Sequence, residues 1–153
     1  MLFRSVRKHI NVVGAVIVDG GRVLAAQRSS TSSLPNMWEF PGGKIEDGET
    51  QEECVLREIK EELGVDVVLH QRVDGPLHGF WPLTERIAFA LWIATIVAGQ
   101  EPVILEDHDA IEWLPANELF RVEWVPADVP LVKQLAALLT NDTAMGNVTQ
   151  NRG

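Results

Sequence analysis

The sequence has no tyrosine, a single cysteine and no long apolar run. Cys54 alone cannot form an internal disulfide, which excludes a disulfide scaffold and predicts a cytoplasmic setting. Because no apolar stretch reaches the ~18 to 20 residues of a membrane helix, we expect no membrane partner. Residues 1–10 are mildly basic, but no signal-type apolar stretch follows them, so we expect no targeting segment there.

Basic residues are also few. The chain has 13 Lys and Arg against 22 Asp and Glu, which gives a formal net charge of −9. Such a protein does not attract nucleic acid through a long-range field, so no nucleic acid polymer is expected as a partner. A polyphosphate substrate would also be repelled, unless a divalent cation neutralised the charge locally.

The size and composition are those of one globular domain. The chain has 153 residues, of which 46% are hydrophobic, enough to bury a single core. No internal repeat or linker divides it. We therefore predict one domain over residues 1–140 and a flexible polar tail over residues 141–153.

Apolar runs bounded by turn residues predict the strands of a mixed α/β fold. The first two strands should form a hairpin over residues 10–28, turning at Asp19-Gly20-Gly21. The segment "WEFPGGK", residues 38–44, predicts a strand end and a turn. The remaining predicted strands are 65–73, 86–97 and 110–114. Residues 86–97 are nearly all apolar, so that strand is expected to be central.

Helix signals occur at two places. Thr50 and Glu53 form a capping-box pattern and Gly64 is a good stop, which predicts a helix from Thr50 to Leu63. Residues 126–140, rich in Ala and Leu, predict the last helix, and residues 115–120 predict a helical turn before it.

The predicted helix from Thr50 to Leu63 has an apolar stripe beside an acidic one. The apolar stripe, expected to face the core, consists of Val55, Leu56, Ile59 and Leu63. The acidic stripe consists of Glu58, Glu61 and Glu62, whose side chains meet at three- and four-residue spacing. Arg57 and Lys60 could neutralise it as a solvated face, or the carboxylates could hold a hard cation such as Mg²⁺. Charge patterning does not decide between these interpretations. Cys54, in the same helix, is expected to be a buried filler rather than a nucleophile.

The spacing around these glutamates is distinctive. Gly43 is followed by five residues and Glu49, then by seven residues and the run Arg57-Glu58-Ile59-Lys60-Glu61-Glu62-Leu63-Gly64-Val65. This resembles the Nudix box without a departure. "WEFPGGK" just before the box and Arg28, eleven residues before Glu39, resemble the MutT branch of the family. "PADVPL", residues 126–131, resembles the CTP pyrophosphohydrolase relatives within that branch.

The resemblance implies an α/β/α sandwich around a mixed sheet, with the box forming a loop, helix and loop. It also implies a Mg²⁺-dependent enzyme, with Mn²⁺ a possible substitute, that converts a nucleoside triphosphate and water to a nucleoside monophosphate and pyrophosphate. CTP, dCTP and oxidised nucleotides such as 8-oxo-dGTP are the expected substrates, and a monomer or homodimer is expected. The alternatives are a Nudix hydrolase of ADP-ribose or NADH, and a non-catalytic binding module of the same fold.

By resemblance, the cation ligands are Glu58, Glu61, Glu62, the Gly42 carbonyl and a carboxylate from a later loop. Asp107 is the best positional match for that carboxylate, with Glu106 the alternative. Glu58 is the first choice as general base, and Glu61 is the other catalytic candidate. Gly43, Glu49, Arg57 and Gly64 are expected to be structural, with Glu49 and Arg57 pairing to brace the loop on the helix.

Substrate contacts are less specific in the sequence. Arg28 and Lys44 could contact phosphates or be ordinary exposed bases. Asp128 matches the base-recognition position: ionised, it would accept from the cytosine amine, and protonated, it could also donate to an oxidised guanine. It could instead cap the last helix. The candidate stacking aromatics, each of which could be core instead, are Trp38, Phe80, Trp81 and Trp124. His108 could assist the neighbouring carboxylates, but it is expected to be a surface histidine.

Overall fold

The computed structural model describes residues 9–77 and 79–141, and within them the chain forms one mixed sheet and two α-helices. The strands are β1 (His9–Asp19), β2 (Arg22–Arg28), β3 (Trp38–Glu39), β4 (Gly42–Lys44), β5 (Val67–Arg72), β6 (Trp81–Pro82), β7 (Ile87–Ile96) and β8 (His108–Pro115). The helices are α1 (Gln51–Leu63) and α2 (Val129–Asn141). The predicted tail lies outside the described residues except for Asn141, which ends α2.

The sheet is built around β1. Its strands follow the order β3-β2-β1-β7-β5, with β4 paired to β1, β6 to β7 and β8 to β2. The predicted hairpin of β1 and β2 is confirmed, with Gly20 and Gly21 at φ 59° and 77° in the turn. β1 and β7 run parallel, whereas β2 is antiparallel to both β3 and β8. The apolar β7 lies between β1 and β5, as its composition predicts.

One helix packs on each face of the sheet. Buried residues of α1 join one apolar cluster, with Cys54, Val55, Ile59 and Leu63 at its centre. The other cluster contains Leu131 and Leu135 of α2. The expected α/β/α sandwich is therefore confirmed. No helix in the described part of the chain is long and apolar enough to cross a membrane.

The apolar stripe of α1 differs from the prediction at one residue. Leu56 is exposed, and Cys54 takes its place in the core. Val55, Ile59 and Leu63 face the sheet. Cys54 joins their buried cluster, whereas Leu56 faces solvent. Burial raises the pKa of the Cys54 thiol to about 12, so it is an inert filler as expected.

Both ends of α1 are fixed by local hydrogen bonds. Thr50 Oγ1 accepts from Glu53 N at 3.1 Å, and Glu53 Oε1 accepts from Thr50 N at 2.9 Å. At the other end, Gly64 adopts φ 71° and its N–H donates to Lys60 O at 3.0 Å. These caps set the register of the helix and therefore the positions of its glutamates.

In the second half of the chain, three predicted element boundaries differ from the observed ones. β8 begins at His108, two residues before the predicted start. Residues 115–120 were expected to form a helical turn, and a 3-10 helix covers Ala116–Arg121. The last α-helix begins at Val129, because Pro126–Asp128 form a separate 3-10 turn.

A β-bulge between β2 and β8 turns His108 inward. Gln27 pairs with Ala110 and Arg28 pairs with His108, so Asp109 has no partner across the ladder. Asp109 instead accepts a hydrogen bond from Ser30 N at 3.1 Å. His108 is 8% exposed, so the prediction of a surface histidine is wrong.

Candidate active site

A cavity of about 440 Å³ opens beside β1, β4 and the start of β8. Its apolar wall includes Phe40, Phe89 and Leu91. Its polar lining includes Arg28, Glu39, Glu62, Asp107, His108 and Asp128. Gly42, Gly43 and Lys44, at the start of the box, line it as well. The fold thus brings the box and two distant polar segments to one cavity.

The three glutamates of the acidic stripe sit in different environments, and of the three only Glu62 is in the described lining of the cavity. Glu61 is exposed and lies 3.4 Å from Arg57 Nη1. Glu58 is half-buried and packs against Gly43, where an added Cβ would overlap its carboxylate. Burial raises the pKa of Glu58, and the neighbouring charges of Glu61 and Asp107 raise it further, partly offset by Arg57.

Glu62 is the most buried of the three, at 2% exposure. Burial raises its pKa to about 9, and the charges of Glu58 and Asp107 add to that rise, while a hydrogen bond with the Gly42 backbone opposes it. Its Oε1 is buried and has no hydrogen-bond partner within the described residues. A buried carboxylate oxygen without a partner is costly, and beside other carboxylates it suits a positive ligand.

Asp107 reaches the cavity through an unusual backbone conformation. Its φ of 71° lies in the left-handed region, which Asp tolerates better than most residues. The preceding loop is held to the end of α1, because Leu105 N–H donates to Glu62 O at 2.9 Å. Glu106, the alternative carboxylate, is exposed and is not part of the cavity lining described here.

These carboxylates could supply oxygen ligands to a divalent cation. Within residues 9–77 and 79–141, no three His, Cys, Asp or Glu side chains are already arranged to hold a metal ion. The partnerless oxygen of Glu62, with the charges of Glu58 and Asp107 close enough to raise its pKa, is nevertheless the environment that a hard cation fits.

Arg57 connects α1 to the loop before it. Its Nε lies 2.7 Å from Glu49 Oε2 and its Nη2 lies 2.9 Å from Glu49 Oε1, and Nη2 also donates to Lys44 O at 3.2 Å. The Arg57 hydrogen bonds lower the pKa of Glu49 to about 2. The geometry is that of the structural brace expected for these two residues.

A line of charged side chains crosses the inner wall of the cavity. Arg28 Nη1 lies 2.9 Å from Glu39 Oε1, and His108 Nε2 lies 2.9 Å from Glu39 Oε2. His108 Nδ1 faces Glu62 Oε1 at 3.7 Å. Burial acts to raise the pKa of Glu39, but hydrogen bonds with His108 and Arg28 together outweigh it and lower that pKa.

Sequence reasoning did not single out Glu39, although an acidic residue between Trp38 and Phe40 was a usable signal. Arg28, expected to contact phosphates, also donates from Nε to Ser33 O at 2.7 Å. It thereby holds the loop of residues 29–36 as well as Glu39. Lys44 is exposed at the cavity edge.

Asp128 lines the cavity beside Phe40. It is 8% exposed and accepts a hydrogen bond from Phe40 N at 3.4 Å. Burial raises its pKa to about 7, and the charge of Glu39 acts in the same direction. An acid with this pKa can be present in either protonation state near neutral pH.

The aromatic residues at the cavity differ from the predicted ones. Trp38 and Phe80 are absent from its described lining: Trp38 packs against the α2-side core, and Arg72 covers the Phe80 ring at 4.6 Å. Trp81 and Trp124 are buried in that core, with indole N–H groups bonded to backbone carbonyls. The cavity presents Phe40 and Phe89 instead.

Comparison with known proteins identifies the family. A family model described as NUDIX domain matches residues 8–135, so the chain belongs to the Nudix family. It is therefore a Nudix hydrolase by family. It is 34% identical over 138 residues to the CTP pyrophosphohydrolase of Escherichia coli K12, covering 86% of this chain and 94% of that protein.

Another curated relative and a solved structure are also similar to this chain. The 8-oxo-dGTP diphosphatase of E. coli K12 is 31% identical over 126 residues, covering 82% of this chain and 95% of that protein. The solution structure of the E. coli ORF135 protein superposes with a TM-score of 0.70 at 30% identity, covering 90% of this chain and 96% of that chain.

Proposed function

We propose that the protein is a nucleoside triphosphate pyrophosphohydrolase that uses Mg²⁺, with Mn²⁺ a possible substitute, and releases a nucleoside monophosphate and pyrophosphate. The observation that carries this proposal is the buried Oε1 of Glu62, which has no hydrogen-bond partner among the described residues. Glu62 and Asp107 line the same cavity, and the charge of Glu58 acts on Glu62. A volume of about 440 Å³ lies within the usual range for small-molecule sites. The names of the relatives, CTP pyrophosphohydrolase and 8-oxo-dGTP diphosphatase, support the substrate class.

In this proposal the cation is held by Glu58, Glu61, Glu62 and Asp107, together with the Gly42 carbonyl. When bound, the cation neutralises phosphate charge and lowers the pKa of bound water. Glu58 serves as the general base by its place in the box, and burial raises its pKa, which makes its carboxylate a better proton acceptor. Glu61 is the other candidate for that role. Gly43 leaves room for the Glu58 carboxylate, and the Glu49–Arg57 pair holds the loop in place.

The substrate is oriented by residues at both ends of the cavity. Lys44, exposed at the edge, and Arg28, which also lines the cavity, contact phosphate oxygens. Asp128 reads the base edge, and Phe40 and Phe89 supply apolar contact to the base. When ionised, Asp128 accepts from the cytosine amine; when protonated, it can also donate to an oxidised guanine. We infer that both classes of base can be substrates.

The test is a panel of nucleotides incubated with the purified protein and Mg²⁺, with products identified as well as rates. The panel contains CTP, dCTP, 8-oxo-dGTP, dGTP, ADP-ribose and NADH. We expect monophosphate and pyrophosphate from a cytosine or oxidised guanine triphosphate, and no turnover in EDTA. Cleavage of ADP-ribose or NADH alone would show another Nudix branch, and no cleavage at all would favour a binding module. A cytoplasmic setting and a monomer or homodimer remain predictions, the latter checked by light scattering.

A further inference from the structure

Two buried polar atoms face each other at the cavity. Glu62 Oε1 and His108 Nδ1 are 3.7 Å apart, and neither has a hydrogen-bond partner in the described part of the chain. Their side chains are 2% and 3% exposed, and both residues line the same cavity. A buried polar atom without a partner is rare, and two that converge indicate a ligand between them.

The opposite side of the His108 ring is occupied. Its Nε2 lies 2.9 Å from Glu39 Oε2, and an ionised carboxylate can only accept, so Nε2 carries the proton. Arg28 fixes the other oxygen of Glu39 at 2.9 Å. In the neutral imidazole, Nδ1 therefore presents its lone pair toward Glu62. A histidine whose other nitrogen donates to a carboxylate is the usual arrangement of a metal-binding imidazole.

The separation suits one ion. Bonds from a divalent metal to imidazole nitrogen and carboxylate oxygen are each about 2.1 Å, so together they span more than the observed distance. Asp107, the residue before His108, lines the same cavity and can supply a further oxygen. The charges of Glu58 and Asp107 already act on Glu62, so the surroundings favour a cation over any neutral ligand.

We propose that His108 Nδ1 is a nitrogen ligand of the cation that Glu62 binds, which shifts the metal preference from Mg²⁺ toward transition ions such as Mn²⁺. Hard Mg²⁺ prefers oxygen ligands throughout, whereas imidazole suits first-row transition metals better. This inference rests on the proposed function only in requiring a cation at the same site. Glu39 and Arg28 act through His108 as positioning residues.

Pulsed EPR of the whole protein loaded with Mn²⁺ alone tests the proposal directly. A nitrogen ligand couples to the Mn²⁺ electron spin, and labelling histidine with ¹⁵N changes the coupling frequencies. We expect that coupling in the wild-type protein, its loss in His108→Gln, and its retention in His70→Gln. His70 is the matched control because it is exposed on β5 and bonded to Thr95. Mn²⁺ affinity should fall ~10-fold or more in His108→Gln, with a smaller change for Mg²⁺.

A second variant covers the case in which His108→Gln does not fold. Replacing the other three histidines by Gln leaves His108 as the sole imidazole of the chain. Coupling that survives in this variant assigns the ligand to His108. Mn²⁺ bound without histidine coupling, or no Mn²⁺ bound at all, overturns the inference. Nucleotide hydrolysis is measured separately. Normal turnover without histidine coupling would contradict only this inference, and coupling without turnover would contradict only the proposed function.

Discussion

The carboxylate of Glu49 pairs with the guanidinium of Arg57 through two bonds, from Nε to Oε2 at 2.7 Å and from Nη2 to Oε1 at 2.9 Å. Because Arg57 Nη2 also donates to Lys44 O, strand β4, which carries Gly43, and the helix that carries Glu58 are held as one unit. The position of Gly43 relative to the proposed cation ligand Glu58 thus depends on one planar side chain.

Arg57→Lys should lower turnover, since an ammonium cannot make both bonds to the Glu49 carboxylate. The expected loss is roughly 10-fold or more, the size of effect seen for groups that support metal ligands. The measurement is kcat/KM for dCTP across a Mg²⁺ titration. Arg22→Lys is the control, because Arg22 is exposed and stacks on Trp113. Equal effects of the two substitutions would contradict the bracing role.

Gly43→Ala should impair activity because its Cβ would overlap the Glu58 carboxylate and displace it. We expect kcat to fall at least ~10-fold with α1 still helical by circular dichroism. Gly48→Ala is the control: Gly48 has φ 80° and open space around it, so that change should cost about 1–2 kcal/mol of stability and leave kcat unchanged. Full activity in Gly43→Ala would place Glu58 outside the chemistry.

Glu62→Gln should lower turnover ~10²-fold or more. The metal-free variant should be at least as stable as the metal-free wild-type protein. The folded pKa of Glu62, about 9, is above the ordinary value of 4.5, so its contribution to stability is lost as pH rises between those values. Urea unfolding without metal should show that the free energy of unfolding of the wild-type protein falls as pH rises, and that this fall is smaller in the variant. Glu52→Gln, an exposed change in the first turn of α1, is the control.

A divalent cation should raise the melting temperature of the wild-type protein but not that of Glu62→Gln. At 100 times the dissociation constant, binding stabilises by about 2.7 kcal/mol, or roughly 5–10 °C for a chain of this size. Differential scanning fluorimetry with Mg²⁺ and Mn²⁺ gives the measurement. An equal shift in both proteins would show that the cation binds without Glu62.

Base preference should depend on pH through Asp128. Burial raises its pKa to about 7, so the side chain both donates and accepts below that pH and only accepts above it. The rate ratio of dCTP to 8-oxo-dGTP should therefore rise from roughly pH 6 to pH 8, on either side of that pKa. Asp128→Asn should make the ratio independent of pH. A ratio that stays constant in the wild-type protein would show that Asp128 does not read the base.

The helix of the box could be predicted closely because its signals are local. Thr50, Glu53 and Gly64 set its ends through bonds to residues three or four positions away. The meeting of Glu58 with Glu61 and Glu62 follows from helical spacing alone. The α/β/α layers of the fold were predicted from the family resemblance. The two apolar clusters on opposite faces of the sheet agree with that prediction.

The rest of the site depends on contacts between distant segments. His108 is buried because a bulge shifts β8 against β2, and no pattern within β8 encodes the partner strand's register. Glu39 meets His108 and Asp128 meets Phe40 only after the sheet has formed. The aromatic residues in the described cavity lining are Phe40 and Phe89 rather than any of the candidates Trp38, Phe80, Trp81 and Trp124, since the face a strand residue takes is set by its neighbours.

The parallel pairing of β1 with β7 has a consequence for how the molecule is made. These strands lie far apart in the sequence, and parallel pairing of distant segments forms slowly. When the ribosome has added Gly64, α1 has been synthesised in full, yet the segments bearing Asp107, His108 and Asp128 are still to be made. The cavity is therefore a late product of folding, and a prematurely terminated chain would carry the glutamates without the wall that completes their site.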